Sequence, residues 1–442
     1  MLKRRFIKNS LLMTAALFIS QTAAILFNIY ISRRLGAEGM GIYRLVITVY
    51  AFAAAFSTSG ISLAVTRLVT ELLAFGKTGE AKRAVTICMI VGVGLSCTVG
   101  VLISALSGKI GVGLLGDERT VLSLRVLSLS LPFMAVSACF RGYFLAVRSV
   151  IKSASEQLLE QIVQISVCVN IITPFSERGL EYACCAVAIG TTVSEIASCI
   201  YSAVLYIIDI RKYKSKGKSS KGTIRKLAEV GLPVTGSSFL RSGLSMIENT
   251  LIPTGLQRYG FSVQNAVGEY GIIMGMALPV LMFPSVCLTP LSSLIIPELS
   301  EAKAANRNSA ISRMAKKALT AAILFIIPTT LLFLIFGDEI AMLLYNRDDV
   351  GVYIRILSLT LPFAYLDRVV DGMLKGLNQQ LHYFTYNIID SATRVILSLI
   401  LIPILGVKAI IIIMFISVIL NSTLSLHRLL FIIRPSEQVL NR

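Results

Sequence analysis

The chain has 442 residues, of which 55% are hydrophobic and only 15% charged, and its mean hydropathy is +0.77. Such a composition excludes an ordinary soluble protein, in which about a quarter of the residues are charged, and it places the chain in a bilayer. The formal net charge of +18 comes from 42 Lys and Arg and 24 Asp and Glu. The basic residues concentrate in loops on one side of the predicted spans, which favours a membrane surface over nucleic acid as their partner.

Twelve apolar runs are each long enough to cross about 30 Å of hydrocarbon as a helix, which takes about 20 residues. Their continuous apolar character predicts helices, because the strands of a transmembrane barrel would alternate in hydropathy over about ten residues. We therefore predict an all-α membrane protein with about twelve transmembrane helices. The predicted spans are residues 10–32, 42–65, 84–107, 121–147, 157–174, 181–209, 228–256, 269–297, 315–336, 351–374, 384–405 and 407–433.

An internal duplication runs through these spans. Leu124 to Phe133 reads LRVLSLSLPF, and Ile354 to Phe363, 230 positions later, reads IRILSLTLPF. Six predicted spans fall in each copy, and an even number gives both copies the same orientation. Duplicated membrane units are typical of transporters, in which two similar lobes rock about a shared central site.

A basic, polar segment separates the two copies. Residues 211–226 read RKYKSKGKSSKGTIRK and lie between the sixth and seventh spans. We interpret the segment as a linker between an N-terminal lobe, 1–220, and a C-terminal lobe, 221–442. Its basic residues would face the anionic lipids of the cytoplasmic leaflet. The overall excess of Lys and Arg on that side predicts that both termini are cytoplasmic.

Cysteine and histidine give no sign of a metal site or a cofactor. All eight cysteines lie in apolar runs, none forms a Cys-x-x-Cys pair, and the chain has only two histidines. Such cysteines behave as small hydrophobic residues. We therefore predict neither a metal site nor a bound cofactor.

Proline predicts where the spans bend, because inside a helix it removes a backbone hydrogen bond. The repeat-matched Pro132 and Pro362 should bend the fourth and tenth spans. The eighth span must be bent or broken, since it carries four prolines: Pro279, Pro284, Pro290 and Pro297.

Ionisable residues within spans are the sharper signal, because burying each one is costly unless it is paired or faces water. At the 230-residue offset Arg141 corresponds to Asp371, and Glu160 corresponds to Asp390. These residues could line a polar path, or they could form ion pairs within each lobe, Arg141 with Glu160 and Asp371 or Asp390 with Arg394. The full set is Arg141, Glu160, Glu195, Arg241, Glu248, Asp367, Arg368, Asp371, Asp390 and Arg394.

The seventh and first spans each carry a polar pair seven residues apart, which places the pair on one helical face. Arg241 and Glu248 form the pair on the seventh span, and Gln21 and Asn28 form that on the first. We interpret these faces as the lining of a central cavity. Arg241 suits an anionic group such as a pyrophosphate, and Glu248 could bind a coupling proton or cation. The alternative is that Arg241 and Glu248 form a buried pair that locks the helix.

The exit of the first span, Ser32 to Tyr43, reads SRRLGAEGMGIY. This segment resembles the signature of stage V sporulation protein B and related polysaccharide-export flippases. Their superfamily also holds the lipid II flippases and the multidrug and toxin extrusion (MATE) antiporters. The resemblance implies two helical bundles around a central cavity that moves undecaprenyl-linked sugars outward by alternating access. It also implies that the cavity arginines correspond to Arg33, Arg34, Arg44 and Arg241.

The sequence therefore predicts a flippase of the bacterial cytoplasmic membrane for a lipid-linked saccharide, either a peptidoglycan precursor or a polysaccharide unit, and no enzyme activity. A proton or sodium gradient would supply the energy, and cell-wall or polysaccharide synthesis enzymes would be partners. Three alternatives stay open. They are a cation-coupled multidrug antiporter, an intramembrane glycosyl polymerase or ligase, which would need a larger outer loop, and a non-transporting membrane scaffold.

Overall fold

The computed structural model describes residues 2–211, 223–305 and 307–433, and every regular element in these ranges is a helix. The first seven helices are α1 (Leu2–Ala74), α2 (Thr78–Gly108), α3 (Thr120–Ser128), α4 (Leu131–Ala146), α5 (Val150–Ser176), α6 (Leu180–Ile210) and α7 (Thr223–Tyr259). The others are α8 (Val263–Tyr270), α9 (Leu278–Met282), α10 (Thr289–Ala304), α11 (Asn308–Tyr345), α12 (Asp348–Ser358), α13 (Leu361–Gly376), α14 (Gln380–Leu405) and α15 (Val407–Ile433).

The predicted all-α membrane fold is confirmed. Eight helical stretches in the described ranges are long and apolar enough to cross a membrane, and the number rises to ten if each bent helix pair counts as one span. Helix α1 contains both the first and the second predicted span, and Gly36 interrupts the helix between them with a φ of 68°. Glycine adopts this left-handed conformation without a steric penalty. The predicted seventh span lies in α7, which is not among the eight.

The predicted break in the eighth span is confirmed. Its residues are divided among α8, a π-helical turn (Gly271–Ala277), α9, a 3-10 turn (Phe283–Leu288) and α10. The fourth span bends by 46° between α3 and α4, and the tenth bends by 57° between α12 and α13. Pro132 and Pro362 lie in the first turn of α4 and α13. Proline is tolerated there because the backbone N–H groups of the first helical turn have no intrahelical acceptor, so that no hydrogen bond is lost. Each bend directly precedes its proline.

The chain divides into two compact units, one ending at Thr250 and the other beginning at Leu251, so the division falls within α7. In the first unit α5 packs against α6, and α1 packs against α2 and α4. In the second unit α11 packs against α12, and α13 packs against α10 and α15. The lobe boundary at residues 220 and 221 stays a prediction, and residues 212–222 of the basic linker lie outside the described residues.

Backbone conformation repeats with the sequence. Gly116 and Asn346, which are 230 positions apart, both have a φ between 50° and 75°, and so do Arg148 and Asn378, with the same separation. A positive φ is uncommon for residues other than glycine. The turns before α3 and α12, and those after α4 and α13, therefore share an unusual geometry, which is independent evidence of the duplication.

Helix packing repeats in the same way. A Cβ atom added to Gly142 on α4 would lie 2.5 Å from the carbonyl oxygen of Ser62 on α1. At the same offset, a Cβ atom on Gly372 of α13 would lie 2.8 Å from the carbonyl oxygen of Ser292 on α10. Both glycines thus allow a close approach of two backbones, which a side chain would prevent.

Each repeat also carries an arginine–aspartate clasp in the loop before its bent span. The first clasp is Asp117 with Arg119, whose Nε and Nη2 donate to the two carboxylate oxygens over 2.9 and 2.7 Å. The second clasp is Arg347 with Asp349, at the positions that correspond to Asp117 and Arg119, so that the two charges are exchanged. In both clasps the hydrogen bonds raise the pKa of the arginine above its ordinary value. Arg119 also donates to Glu38 over 2.8 Å, which ties this loop to α1.

Candidate functional site

The predicted cavity residues lie on two helices. Arg241 is exposed and Glu248 is buried, two turns further along α7. Gln21 is exposed on α1, and Asn28 on the same helix is partly buried with an Oδ1 that has no hydrogen-bond partner. A buried polar atom without a partner is costly, so it is a natural acceptor for a polar ligand.

The arginines implied by the resemblance also lie along α1. Arg33 and Arg34 are exposed, and the Arg34 guanidinium lies 5.8 Å from the ring of Tyr30. Arg44 is partly buried, and its Nε has no hydrogen-bond partner in the structure. Arg34 follows Gln21 by 13 residues, which is roughly 20 Å of helix. One phosphate group therefore does not reach the whole set at once.

The first half of α7 packs against the second half of α1. A Cβ atom on Gly60 would meet the side chain of Thr235 and the carbonyl oxygen of Gly231, so the two backbones come into close contact. The ring of Phe239 on α7 lies 4.9 Å from that of Phe52 on α1. This contact places the stretch of α7 just before Arg241 beside the second span.

A first acidic cluster, formed by Arg141, Glu156, Glu160 and Glu195, lies where α4, α5 and α6 meet. The Nε of Arg141 is 3.6 Å from Oε1 of Glu156, and that oxygen also accepts a hydrogen bond of 3.2 Å from Ser198. Glu160, one turn after Glu156, and Glu195 on α6 both lie within electrostatic reach of Arg141. The structure therefore gives Arg141 three acidic neighbours.

Two carboxylates of this cluster are incompletely satisfied. Glu156 is 0% and Glu195 is 3% exposed, and one oxygen of each, Oε2, has no hydrogen-bond partner in the structure. The cluster holds three acids and one base, so full ionisation would leave an uncompensated negative charge in the membrane. Such a charge is unfavourable unless a proton or a cation neutralises it.

The bend in the fourth span connects α1 to this cluster. Ser130 lies between α3 and α4, and its Oγ is 2.8 Å from the hydroxyl oxygen of Tyr50 on α1. Tyr50 is also within electrostatic reach of Glu195. The polar lining predicted for this lobe thus includes a tyrosine from the second span.

A second acidic cluster, formed by Asp367, Asp371 and Asp390 with Lys375 and Arg394, occupies the equivalent place in the second unit. Oδ2 of Asp390 is 3.3 Å from the Arg394 guanidinium, and its Oδ1 accepts a hydrogen bond from Ser417. Lys375 donates to Asp371 over 2.7 Å. Asp367 accepts a hydrogen bond of 2.9 Å from Asn421 on α15.

Sequence reasoning did not identify Glu156 or Lys375. The fifth span was assigned to residues 157–174, so Glu156 fell one position outside it. Glu156 and Lys375 each lie four residues from a predicted charged residue, Glu160 and Asp371, and this spacing puts both members of a pair on one helical face. This four-residue spacing is the feature of the sequence from which both residues could have been identified.

The described residues contain no group of three or more His, Cys, Asp or Glu side chains that could hold a metal ion. The acids of the first cluster therefore do not form a multidentate metal site. What their arrangement supports chemically is the binding and release of protons.

Comparisons with known proteins identify relatives of the chain. A family model described as "Polysaccharide biosynthesis protein" matches residues 6–303. Stage V sporulation protein B of Bacillus subtilis (strain 168) is 26% identical over 383 residues, which are 86% of this chain and 74% of that protein. Sporulation protein YkvU of the same organism is 20% identical over 387 residues, which are 87% of this chain and 85% of that protein.

Solved structures show the same fold. The inward-facing conformation of a multidrug resistance MATE family transporter of the MOP superfamily matches with a TM-score of 0.76 at 15% identity, covering 94% of this chain and 96% of that one. An outward-facing conformation matches with a TM-score of 0.66 at 15% identity, covering 96% and 95%. The fold is therefore MATE-like, as predicted. Together these comparisons support a multi-pass membrane flippase or exporter of lipid-linked saccharides, a transporter rather than an enzyme.

Proposed function

This chain belongs to the polysaccharide biosynthesis protein family, and we propose that it moves an undecaprenyl-pyrophosphate-linked saccharide across the bacterial cytoplasmic membrane by alternating access. The observation that carries the proposal is the family match over residues 6–303 on a fully helical, duplicated membrane fold. Both termini face the cytoplasm, and the lobes 1–220 and 221–442 rock about a central cavity. The enzymes that make the saccharide would act before this step.

The substrate contacts lie on α1 and α7. Arg241 offers a planar fork of donors to a pyrophosphate, and the unpartnered Oδ1 of Asn28 can accept from a sugar hydroxyl. Arg33, Arg34 and Arg44 lie at another level of α1, where they would engage the lipid-linked phosphate at a different stage of transport.

Protons couple transport to the membrane gradient in this proposal. The candidate carriers are Glu248 and the first acidic cluster, whose Glu156 and Glu195 are buried with one unpartnered oxygen each. Proton binding neutralises the excess negative charge and gives each carboxyl a donor, so it removes the cost of burial.

The test measures transbilayer movement of a fluorescent undecaprenyl-pyrophosphate sugar in proteoliposomes. We expect the purified protein to move the lipid and an Arg241→Ala, Glu248→Gln double variant to lose at least about tenfold in rate, which corresponds to about 1.4 kcal/mol. An Arg313→Ala, Glu301→Gln variant makes the same charge changes at exposed positions of α11 and α10 and serves as the control. Equal loss in both variants would argue against a site on α7.

A cation-coupled multidrug antiporter is the second candidate, because the chain shares its fold with MATE transporters. If the protein moves no saccharide lipid but exchanges ethidium for protons or sodium in the same vesicles, this alternative replaces the first. A protein that moves neither, and whose double variant still complements a deletion strain, would instead be a membrane scaffold.

A further inference from the structure

A cationic and aromatic patch lies where α13 ends, α14 begins and α15 ends. We define the patch as Lys375, His382, Arg428 and Phe431 with the turn 377–379. Phe431 is 67% exposed, and the neighbouring Leu381 is 81% exposed. Lys303 at the end of α10 reaches the same turn, since its Nζ donates to the carbonyl oxygen of Leu377. Exposed apolar side chains beside cations are typical of the boundary between lipid tails and headgroups.

Arg428 is the informative residue of the patch. Its Nε and Nη2 donate to Oε1 of Gln379 over 3.1 and 2.8 Å. Nη2 also lies 2.9 Å from Nε2 of His382. Within the described residues no carboxylate lies at ion-pairing distance from Arg428. The guanidinium is thus held by an amide oxygen and an imidazole nitrogen rather than by an acid.

The corresponding place in the first repeat is neutralised. Lys152 lies 230 positions before His382, and its ammonium is 2.8 Å from the carboxylate of Asp209 on α6. Lys152 also lies over the ring of Phe144, as Lys375 lies over the ring of Tyr383 in the second repeat. The two repeats therefore share a cation-and-aromatic arrangement in which each lysine has an acidic partner, Asp209 for Lys152 and Asp371 for Lys375. Arg428 is an additional cation of the second repeat, and it has no such partner among the described residues.

We propose that the patch binds the phosphate of an anionic phospholipid headgroup, with Arg428 as the principal contact. A guanidinium held in a fixed orientation can donate to two phosphate oxygens at once, which gives both affinity and geometric selectivity. Lys303 adds positive charge at the same turn, whereas the charge of Lys375 is balanced by Asp371. Leu381 and Phe431 contact the acyl chains next to the headgroup. This lipid site is separate from the saccharide path on α1 and α7.

The experiment measures the preference of the full-length protein for spin-labelled phosphatidylglycerol over phosphatidylcholine in mixed vesicles, by electron paramagnetic resonance. We expect an Arg428→Gln variant to lose about fivefold in this preference, because one surface cation contributes about 1 kcal/mol to the binding of an anionic lipid. An Arg428→Lys variant should retain part of it. A Lys408→Gln variant, which removes one charge from the opposite end of α15, should keep the preference within about twofold.

Retention of the full preference in Arg428→Gln, or an equal loss in Lys408→Gln, would overturn the proposal. A second measurement needs no variant. Photoactivatable phosphatidylglycerol should label the unmodified chain within residues 371–386 and 424–433, and labelling confined to other segments would equally overturn it.

Discussion

The two acidic clusters occupy equivalent places in the two repeats, but their charges are balanced differently. In the first cluster Arg141 stands alone among Glu156, Glu160 and Glu195. In the second, both Arg394 and Lys375 face acids, and Asp390 and Asp367 also accept hydrogen bonds from Ser417 and Asn421. Duplication thus preserved the location of the charges and changed their compensation.

This difference indicates a division of roles between the lobes. A cluster whose acids are paired with bases holds its helices together, and its carboxylates gain little free energy from taking up a proton. Buried carboxylate oxygens without a hydrogen-bond partner occur in both clusters, on Glu156 and Glu195 in the first and on Asp367 in the second. The first cluster has the larger excess of acids over bases, so it gains the most from taking up a proton. Within the proposed function, we therefore assign proton coupling to the first repeat and a structural role to the second.

Removal of Arg141 should give the largest effect. An Arg141→Met variant leaves two buried glutamates and the partly buried Glu160 without their counter-ion. We expect a loss of about 2–3 kcal/mol of stability, below the 3–5 typical of fully buried pairs because Arg141 is partly exposed. The measurement is thermal unfolding in detergent at neutral pH. Arg394→Met should cost less, since Asp390 keeps its hydrogen bond from Ser417 and Asp371 keeps its pair with Lys375. A larger loss for Arg394→Met would reverse the assignment of roles.

Neutralisation of single acids should separate the clusters by function. Glu195→Gln is expected to lower proton-driven transport by about tenfold, or about 1.4 kcal/mol, because it removes a titrating group from the first cluster. Asp371→Asn, in the compensated cluster, should change the rate by less than about threefold. Rates in proteoliposomes with and without a pH gradient provide the comparison. Gradient dependence that survives Glu195→Gln unchanged would remove this residue from the coupling path.

Alanine at the two matched glycines should test how closely the repeats agree in packing. Gly142→Ala and Gly372→Ala each force a Cβ against a carbonyl oxygen, and we expect each to cost about 1–3 kcal/mol, with the shorter contact at Gly142 costing more. Gly94→Ala on α2, whose added Cβ meets nothing within 4 Å, is the control and should be neutral or stabilising. Unfolding temperatures that do not differ among the three would contradict the close approach.

Loss of one hydroxyl donor in each cluster should have the smallest effect. Ser198→Ala removes a hydrogen bond to Glu156, and Ser417→Ala removes one to Asp390. Each should cost about 1 kcal/mol, which is the typical net contribution of one hydrogen bond to stability. A double-variant cycle with Glu156→Gln and Asp390→Asn tests whether each effect depends on its carboxylate.

The helical spans, the duplication and the broken eighth span could all be predicted from the sequence, since apolar run length and proline position act locally. Paired charges four residues apart on one helix could also be predicted, as for Asp390 and Arg394. Contacts between helices could not. The pairing of Arg141 with Glu156 depends on how α4 and α5 are rotated about their axes, and hydropathy in a nearly all-apolar helix does not specify that rotation.

The contacts of Arg428 could not be predicted from the sequence for a related reason. Its neighbours lie 46 or more positions away, Gln379 in the turn before α14 and His382 on α14, and neither is an acid that a search for ion pairs would select. Only the folded geometry shows which groups orient this arginine. The substrate contacts of α1 and α7 remain a prediction from residue type and helical face.

The exchanged clasps bear on how the two halves diverged. Conversion of an Asp117–Arg119 arrangement into the Arg347–Asp349 order takes two substitutions, and either one alone sets two like charges side by side in the same loop. The singly substituted loop is destabilised by the repulsion between like charges, and the second substitution restores the attraction that the first one removed. Chimeras that exchange segments between the halves must therefore carry both residues of a clasp together. The attraction across the loop is the inherited trait, and the side chains that supply it are interchangeable.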